Sequence, residues 1–192
     1  MPWEKSFDVD KVRLRAMKFF WTNGFGAASM AKLLDHIGIN RGSFYDTFGN
    51  KRNLFLETLE LYIQRQLVPV LTVASPLSAK EAVASIFNAF FEASTGPGSG
   101  RGCFLVNSSL ELGKQDDDVD AILQTTTGQV EGFFVQKLQT GQESGELSDT
   151  LHVHDLARTL TALIFGMRTL EKAGASEAML RSISLQAQRL LD

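Results

Sequence analysis

Residues 29–48 read Ser-Met-Ala-Lys-Leu-Leu-Asp-His-Ile-Gly-Ile-Asn-Arg-Gly-Ser-Phe-Tyr-Asp-Thr-Phe, and their pattern predicts two short helices meeting at a sharp turn. Ser29 and Asn40 are suited to cap the two helix starts, because a short side-chain oxygen accepts a free backbone N–H there. Between them Ile37-Gly38-Ile39 needs a positive φ, which glycine adopts without strain. Leu33, Leu34, Ile37, Ile39, Phe44 and Phe48 fall where two crossed helices would pack on a third. The second helix keeps a polar face of Arg41, Ser43, Tyr45, Asp46 and Thr47. Core packing does not account for such a face on a helix of two turns, whereas the major groove of duplex DNA admits one helix.

Upstream, Val12, Ala16, Phe19 and Phe20 share one face of a helix expected from about residue 8 to 22. Downstream, Gly49-Asn50 breaks the chain, and a longer helix is expected from Lys51 towards Val68, stopped by Pro69. Five more helices are expected: 79–93 behind Ser78, about 103–112 after the glycine-rich link 96–102, a long one after Asp116-Asp117-Asp118, about 153–172, and 176–191. Acidic residues suit the start of the long helix, where the helix dipole is positive. The expectation is an all-α chain of about nine helices, opening with a three-helix helix-turn-helix module.

The 192 residues suit one moderate domain or a small module fused to a larger one, and 44% hydrophobic against 21% charged residues is an ordinary soluble balance. The longest apolar runs are too short to span a bilayer, and residues 1–10 lack the pattern of a signal peptide. One cysteine, Cys103, cannot form an internal disulfide, and a reducing cytoplasm is the expected compartment. A net charge of −3 argues at first against a nucleic-acid partner. Residues 1–60, however, carry nine Lys/Arg against seven Asp/Glu, and the remainder ten against fifteen. The basic end is the one with the helix-turn-helix.

The stretch resembles the TetR family of transcriptional repressors (TetR/AcrR-like). The carrying residues are Asn23-Gly24-Phe25, Ser29-Met30, residues 37–45 (Ile-Gly-Ile-Asn-Arg-Gly-Ser-Phe-Tyr), Phe48 and Lys51. Ala28 stands where the family often has a capping threonine, which leaves Ser29 for phosphate. The resemblance implies operator DNA as partner, with Tyr45, Thr47 and Lys51 on phosphates, and Asn40, Arg41, Gly42 and Ser43 near bases and adjacent backbone. Arg41 is the expected reader of guanine, since a guanidinium bonds both of its acceptors. It also implies a DNA-binding domain over 1–50, an effector-binding and dimerisation domain over 51–192, and a homodimer whose two modules read successive half-sites.

For that second domain, Leu160, Ile164, Met167, Leu180, Ile183 and Leu190 lie on apolar stripes suited to a four-helix interface. Phe87, Phe90, Phe104, Phe133, Phe134 and Phe165 are candidates for an effector cavity taking a small apolar or electrophilic molecule. Cys103 comes after the glycine-rich link and lies two residues from Arg101, and both a helix start and a cation favour the reactive thiolate. Residues 101–112 also resemble a TetR subgroup, some of whose members respond to electrophiles or oxidants. No cofactor, metal or membrane partner is expected: His152 and His154 lack further ligands nearby, and the aspartates lack the glycine and glutamate of a calcium loop. Two other readings stay open at this point: a helical sensor that binds a ligand or partner but not DNA, and a small helical enzyme built on Ser108 or Ser109.

Overall fold

The computed structural model describes residues 7–192, apart from the side chain of residue 114. The reading of residues 1–10 therefore lies mostly outside the described residues, as does the start of the expected 1–50 domain.

Helix α1 (Val9–Asn23) is capped by Asp8, whose carboxylate accepts from the Asp10 and Lys11 amides. Its apolar face buries Val12, Ala16, Phe19 and Phe20 against α2 (Met30–Ile37) and α4 (Lys51–Tyr62). Between these lies α3 (Arg41–Phe48), attached through Phe44 and Phe48, which are 0% and 3% exposed. Burying each such side chain contributes roughly 1.5–3 kcal/mol, enough to seat a helix too short to stand alone. Gly38 ends α2 at φ 74° and ψ 34°, the left-handed conformation expected of it.

Pro69 does not end the fourth helix. A π-helical turn (Ile63–Leu67) succeeds α4, and α5 (Val68–Ala74) continues without a break. The Val68 amide donates to the Ile63 carbonyl five residues back. That wider turn gives the proline ring room and puts its missing N–H in the first turn of α5, where proline is tolerated.

The remaining helices are α6 (Ala79–Thr95), α7 (Phe104–Leu112), α8 (Asp117–Glu143), α9 (Val153–Lys172) and α10 (Glu177–Arg189), with a 3-10 turn (Gly113–Gln115) ahead of α8. With α4, the π turn and α5 counted as one rod, the described residues form nine helices and no strand, as the all-α reading expects. None of these helices is long and apolar enough to cross a membrane. Helices α6, α8, α9 and α10 pack side by side, and α7 spans from this bundle to the N-terminal helices.

Two arrangements correct the sequence reading. Leu160, Ile164, Met167 and Leu180 are all 2% exposed or less, so they hold the chain's own bundle together and are not free to meet a second copy. Ile183 is half-buried on the same core. Among the six, Leu190 keeps 41% of its surface, and Leu170 on α9 and Met179 and Leu185 on α10 are exposed as well. Likewise Phe87, Phe104 and Phe134 are core residues, almost wholly buried, and Phe133 packs edge-on against Phe134. Helical periodicity marks an apolar stripe without saying which partner covers it.

Candidate nucleic-acid interface

The structure brings the N-terminus of α2, the outer face of α3 and the N-terminus of α4 together as the exposed end of the molecule's N-terminal module. Ser29 caps α2 by accepting from the Lys32 amide at 3.3 Å. Asn40 caps α3, its Oδ1 accepting from the Ser43 amide at 2.8 Å. Asn50 does the same for α4 on the Asn53 amide. Arg41, Gly42, Tyr45 and Asp46 are exposed on α3, and Ser43 and Thr47 are half-buried beside them. The Tyr45 ring stands edge-on against Phe44, 5.3 Å between centroids, which fixes it from below while 45% of the residue stays open. A Cβ on Gly42 would meet only Asn40 Oδ1, at an ordinary 3.4 Å. The fold itself thus makes no demand for glycine at that place.

Lys51 has a task within the fold that sequence reasoning missed. Its ammonium donates to the carbonyls of Phe25 and Ala28, both at 2.9 Å, and lies 4.1 Å over the Phe25 ring. Partial burial pushes its pKa down, with the Glu111 carboxylate acting the other way. Two of its three N–H groups are committed to the α1–α2 loop, and the third remains for an external anion. Glu111, at the end of α7, holds the same loop from the other side: its carboxylate accepts from the Phe25 and Gly26 amides at 2.9 and 2.6 Å. Nothing in the sequence marks this contact, because the partners lie more than eighty residues apart.

Arg52 links the same region to α8. It forks onto Asp116 at 2.9 and 2.7 Å and reaches Asp118 at 2.6 Å. The guanidinium, helped by backbone N–H donors, holds the Asp116 carboxyl below its ordinary pKa. Asp116 also caps α8 on the Val119 amide, so the helix-end reading of these aspartates accounts for half of their work.

The C-terminal helices contain a small, partly enclosed apolar cavity of about 30 Å³. Of the expected residues, Phe90, Cys103 and Phe165 line it; Phe87, Phe104, Phe133 and Phe134 do not. Tyr62, Arg168 and the π-turn residues Ile63, Gln66 and Leu67 complete much of its wall. Cys103 is the N-cap residue of α7 and is 6% exposed. Burial first, and then the neighbouring Cys103 thiol, keep the Tyr62 phenol neutral by raising its pKa well above the usual value. The expected cation, Arg101, lies instead over the Trp21 ring at 4.3 Å. Arg168 takes the inner position: it donates to Ser94 Oγ and to the Gly102 carbonyl, both at 2.9 Å. Its Nη1 also lies 2.6 Å from Glu171 Oε2, by distance an ion pair, though no N–H is aimed along that line.

Sequence comparison decides the family. The pattern described as bacterial regulatory proteins, tetR family, matches residues 14–58, and the tetracyclin repressor-like C-terminal domain matches residues 79–184. The chain is 33% identical to the uncharacterized HTH-type transcriptional regulator YezE of Bacillus subtilis over 158 residues, 81% of either chain. The chain belongs to the TetR family of transcriptional regulators. It is also 31% identical to the HTH-type transcriptional repressor ComR of Escherichia coli, over 97% of this chain and 90% of that one. Among solved structures it is similar to a cysteine mutant of the TetR family regulator CifR complexed with 26bp double-strand operator DNA. There the TM-score is 0.88 and the identity 26%, over 98% of each chain. A TetR family regulator is a DNA-binding transcription factor and not an enzyme, which retires both the small helical enzyme and the sensor without DNA.

Proposed function

We propose that the chain is a dimeric repressor that sits on an inverted-repeat operator and leaves it when a small molecule enters the α4–α9 cavity or modifies Cys103. The observation that carries the DNA half of this reading is the outer face of α3. Arg41, Gly42 and Tyr45 project from a helix whose other side is pinned by Phe44 and Phe48, so the helix is rigid where it meets the groove. Arg41 reads base edges, and Asn40, Gly42 and Ser43 approach bases and nearby backbone. Ser29, Tyr45, Thr47 and the remaining N–H of Lys51 take phosphates, aided by the helix N-termini behind them. The roles divide at about residue 50: the N-terminal module reads DNA, and the larger C-terminal bundle senses the effector and dimerises.

The effector half rests on the cavity. At about 30 Å³ it holds little more than one water, so a ligand must displace its walls. The walls proposed to yield are Ile63, Gln66 and Leu67, where the chain departs from α-helical geometry into i→i+5 pairing. Displacing them moves α4, which carries Lys51 and Arg52, and changes the spacing of the two recognition helices.

The test is binding to a duplex bearing the inverted repeat upstream of the chain's own gene, measured by fluorescence anisotropy across a salt series. Affinity falling linearly on a log–log plot against salt supports phosphate neutralisation. Equal affinity for the repeat and a scrambled duplex sinks the operator reading. For the trigger, Cys103→Ser is treated with an electrophile beside the parent protein; identical responses remove Cys103 from the reading.

A further inference from the structure

A second, larger concavity lies outside both sites. It is a cleft of about 610 Å³ between α1, the π turn and the 96–102 link, and neither α2 nor α3 borders it. Lys18, Arg65, Arg101 and Arg168 line it, and no carboxylate does. Arg168 is neutralised by Glu171, but Lys18, Arg65 and Arg101 form no ion pair among the described residues. Three cations that face one cleft without a counter-charge repel one another.

The cleft is also built. Arg101 is not a loose surface arginine: its guanidinium lies over Trp21 at 4.3 Å, and its Nε donates to the Gly98 carbonyl at 2.9 Å. Gly98, at φ 89°, permits this fold-back, since a Cβ there would stand 2.5 Å from Arg101 Nη2. Trp21 is itself tied by its indole N–H to the Gly102 carbonyl at 3.1 Å. A guanidinium held in place loses little freedom when it forks onto an oxyanion. Opposite it, three consecutive residues of the π turn, Gln64, Arg65 and Gln66, all border the cleft.

We propose that this cleft binds a small molecule carrying two or more anionic oxygen groups, either a phosphorylated compound or a polycarboxylate. Arg101 and Arg65 take the anion from opposite walls, Lys18 adds charge from α1, and the glutamine amides supply further donors. One wall belongs to the helix-turn-helix module and the other to the sensing domain, and Gln66 and Arg168 also line the apolar cavity. Occupation therefore shifts operator affinity as well; this second claim rests on the operator reading, whereas binding in the cleft does not.

The test uses the full chain at constant ionic strength, with pyrophosphate and citrate titrated separately. Thermal unfolding and Trp fluorescence are recorded without DNA. The expected result is a saturable rise in Tm with at least one of the two anions. Its midpoint moves at least tenfold in Arg65→Gln/Arg101→Gln and stays put in Arg158→Gln, an exposed arginine far from the cleft. Lys18→Gln, a single change on an exposed turn of α1, serves if the double variant does not fold, and a threefold or greater loss is expected. Pyrophosphate alone marks a phosphorylated ligand and citrate alone a polycarboxylate. A response that fails to saturate, or midpoints equal in parent and cleft variants, overturns the site. Operator affinity that is unmoved by a saturating anion overturns the coupling and leaves the site standing.

Discussion

Lys51 and Arg41 both fall on the surface proposed to face DNA, yet their surroundings predict different losses. Lys51 bonds two carbonyls of the α1–α2 loop, so Lys51→Met leaves both without their charged donor. Stability should fall by about 1–3 kcal/mol, and affinity for all duplexes should fall with it. Arg41 is exposed and makes no side-chain contact within the chain that the fold needs. Arg41→Ala should leave urea unfolding within about 0.5 kcal/mol of the parent. It should nonetheless cost roughly 1–3 kcal/mol on the preferred operator and narrow the gap to a scrambled duplex. Unfolding and anisotropy measured on both variants separate the two roles. A Lys51→Met protein as stable as the parent, or an Arg41→Ala protein with undiminished preference, contradicts the corresponding assignment.

Among the elements, those with chemical end-marks were legible and those shaped by distant neighbours were not. Helices α2 and α3 could be placed from Ser29, Gly38 and Asn40, because capping is settled within a few residues and the structure uses all three as caps. Pro69 misled, since it is accommodated by a π turn that buries Ile63 and Leu67, and which residues a turn buries is a tertiary fact. Glu111 and Arg52 were invisible for the same reason: their partners come from other parts of the chain. The Arg52–Asp116 link between α4 and α8 makes a pH prediction. Asp116 has its pKa lowered in the folded chain, chiefly by Arg52. Its stabilisation is therefore complete above the ordinary carboxylate value of 3.8 and is lost as pH falls through the lower folded value. Asp116→Asn should flatten that part of the acid limb in a Tm-versus-pH series and lower Tm at neutral pH. An acid limb unchanged in the variant places the sensitivity elsewhere.

The proposed dimer needs an apolar surface that joins two copies, and burial within one chain selects a different surface from the one sequence periodicity suggests. A lone recognition helix of two turns binds weakly, and linking two half-sites strengthens binding by roughly 100-fold or more. Leu180, at 2% exposure, cannot contribute to that link without unfolding α10 from α6 and α9. Met179 and Leu185, at 50% and 49%, present their side chains outward from the same helix. Leu180→Ala should therefore destabilise the fold by about 2–5 kcal/mol through the cavity it leaves. Met179→Glu/Leu185→Glu should keep the helical circular-dichroism signal and sediment as a monomer, since two carboxylates per copy cannot be desolvated against each other without a large penalty. The same double variant should lose roughly 100-fold in operator affinity, while its binding to a single half-site stays near that of the parent. If it still sediments as a dimer, α10 is not the joining face, and the recognition helices must be spaced by some other surface.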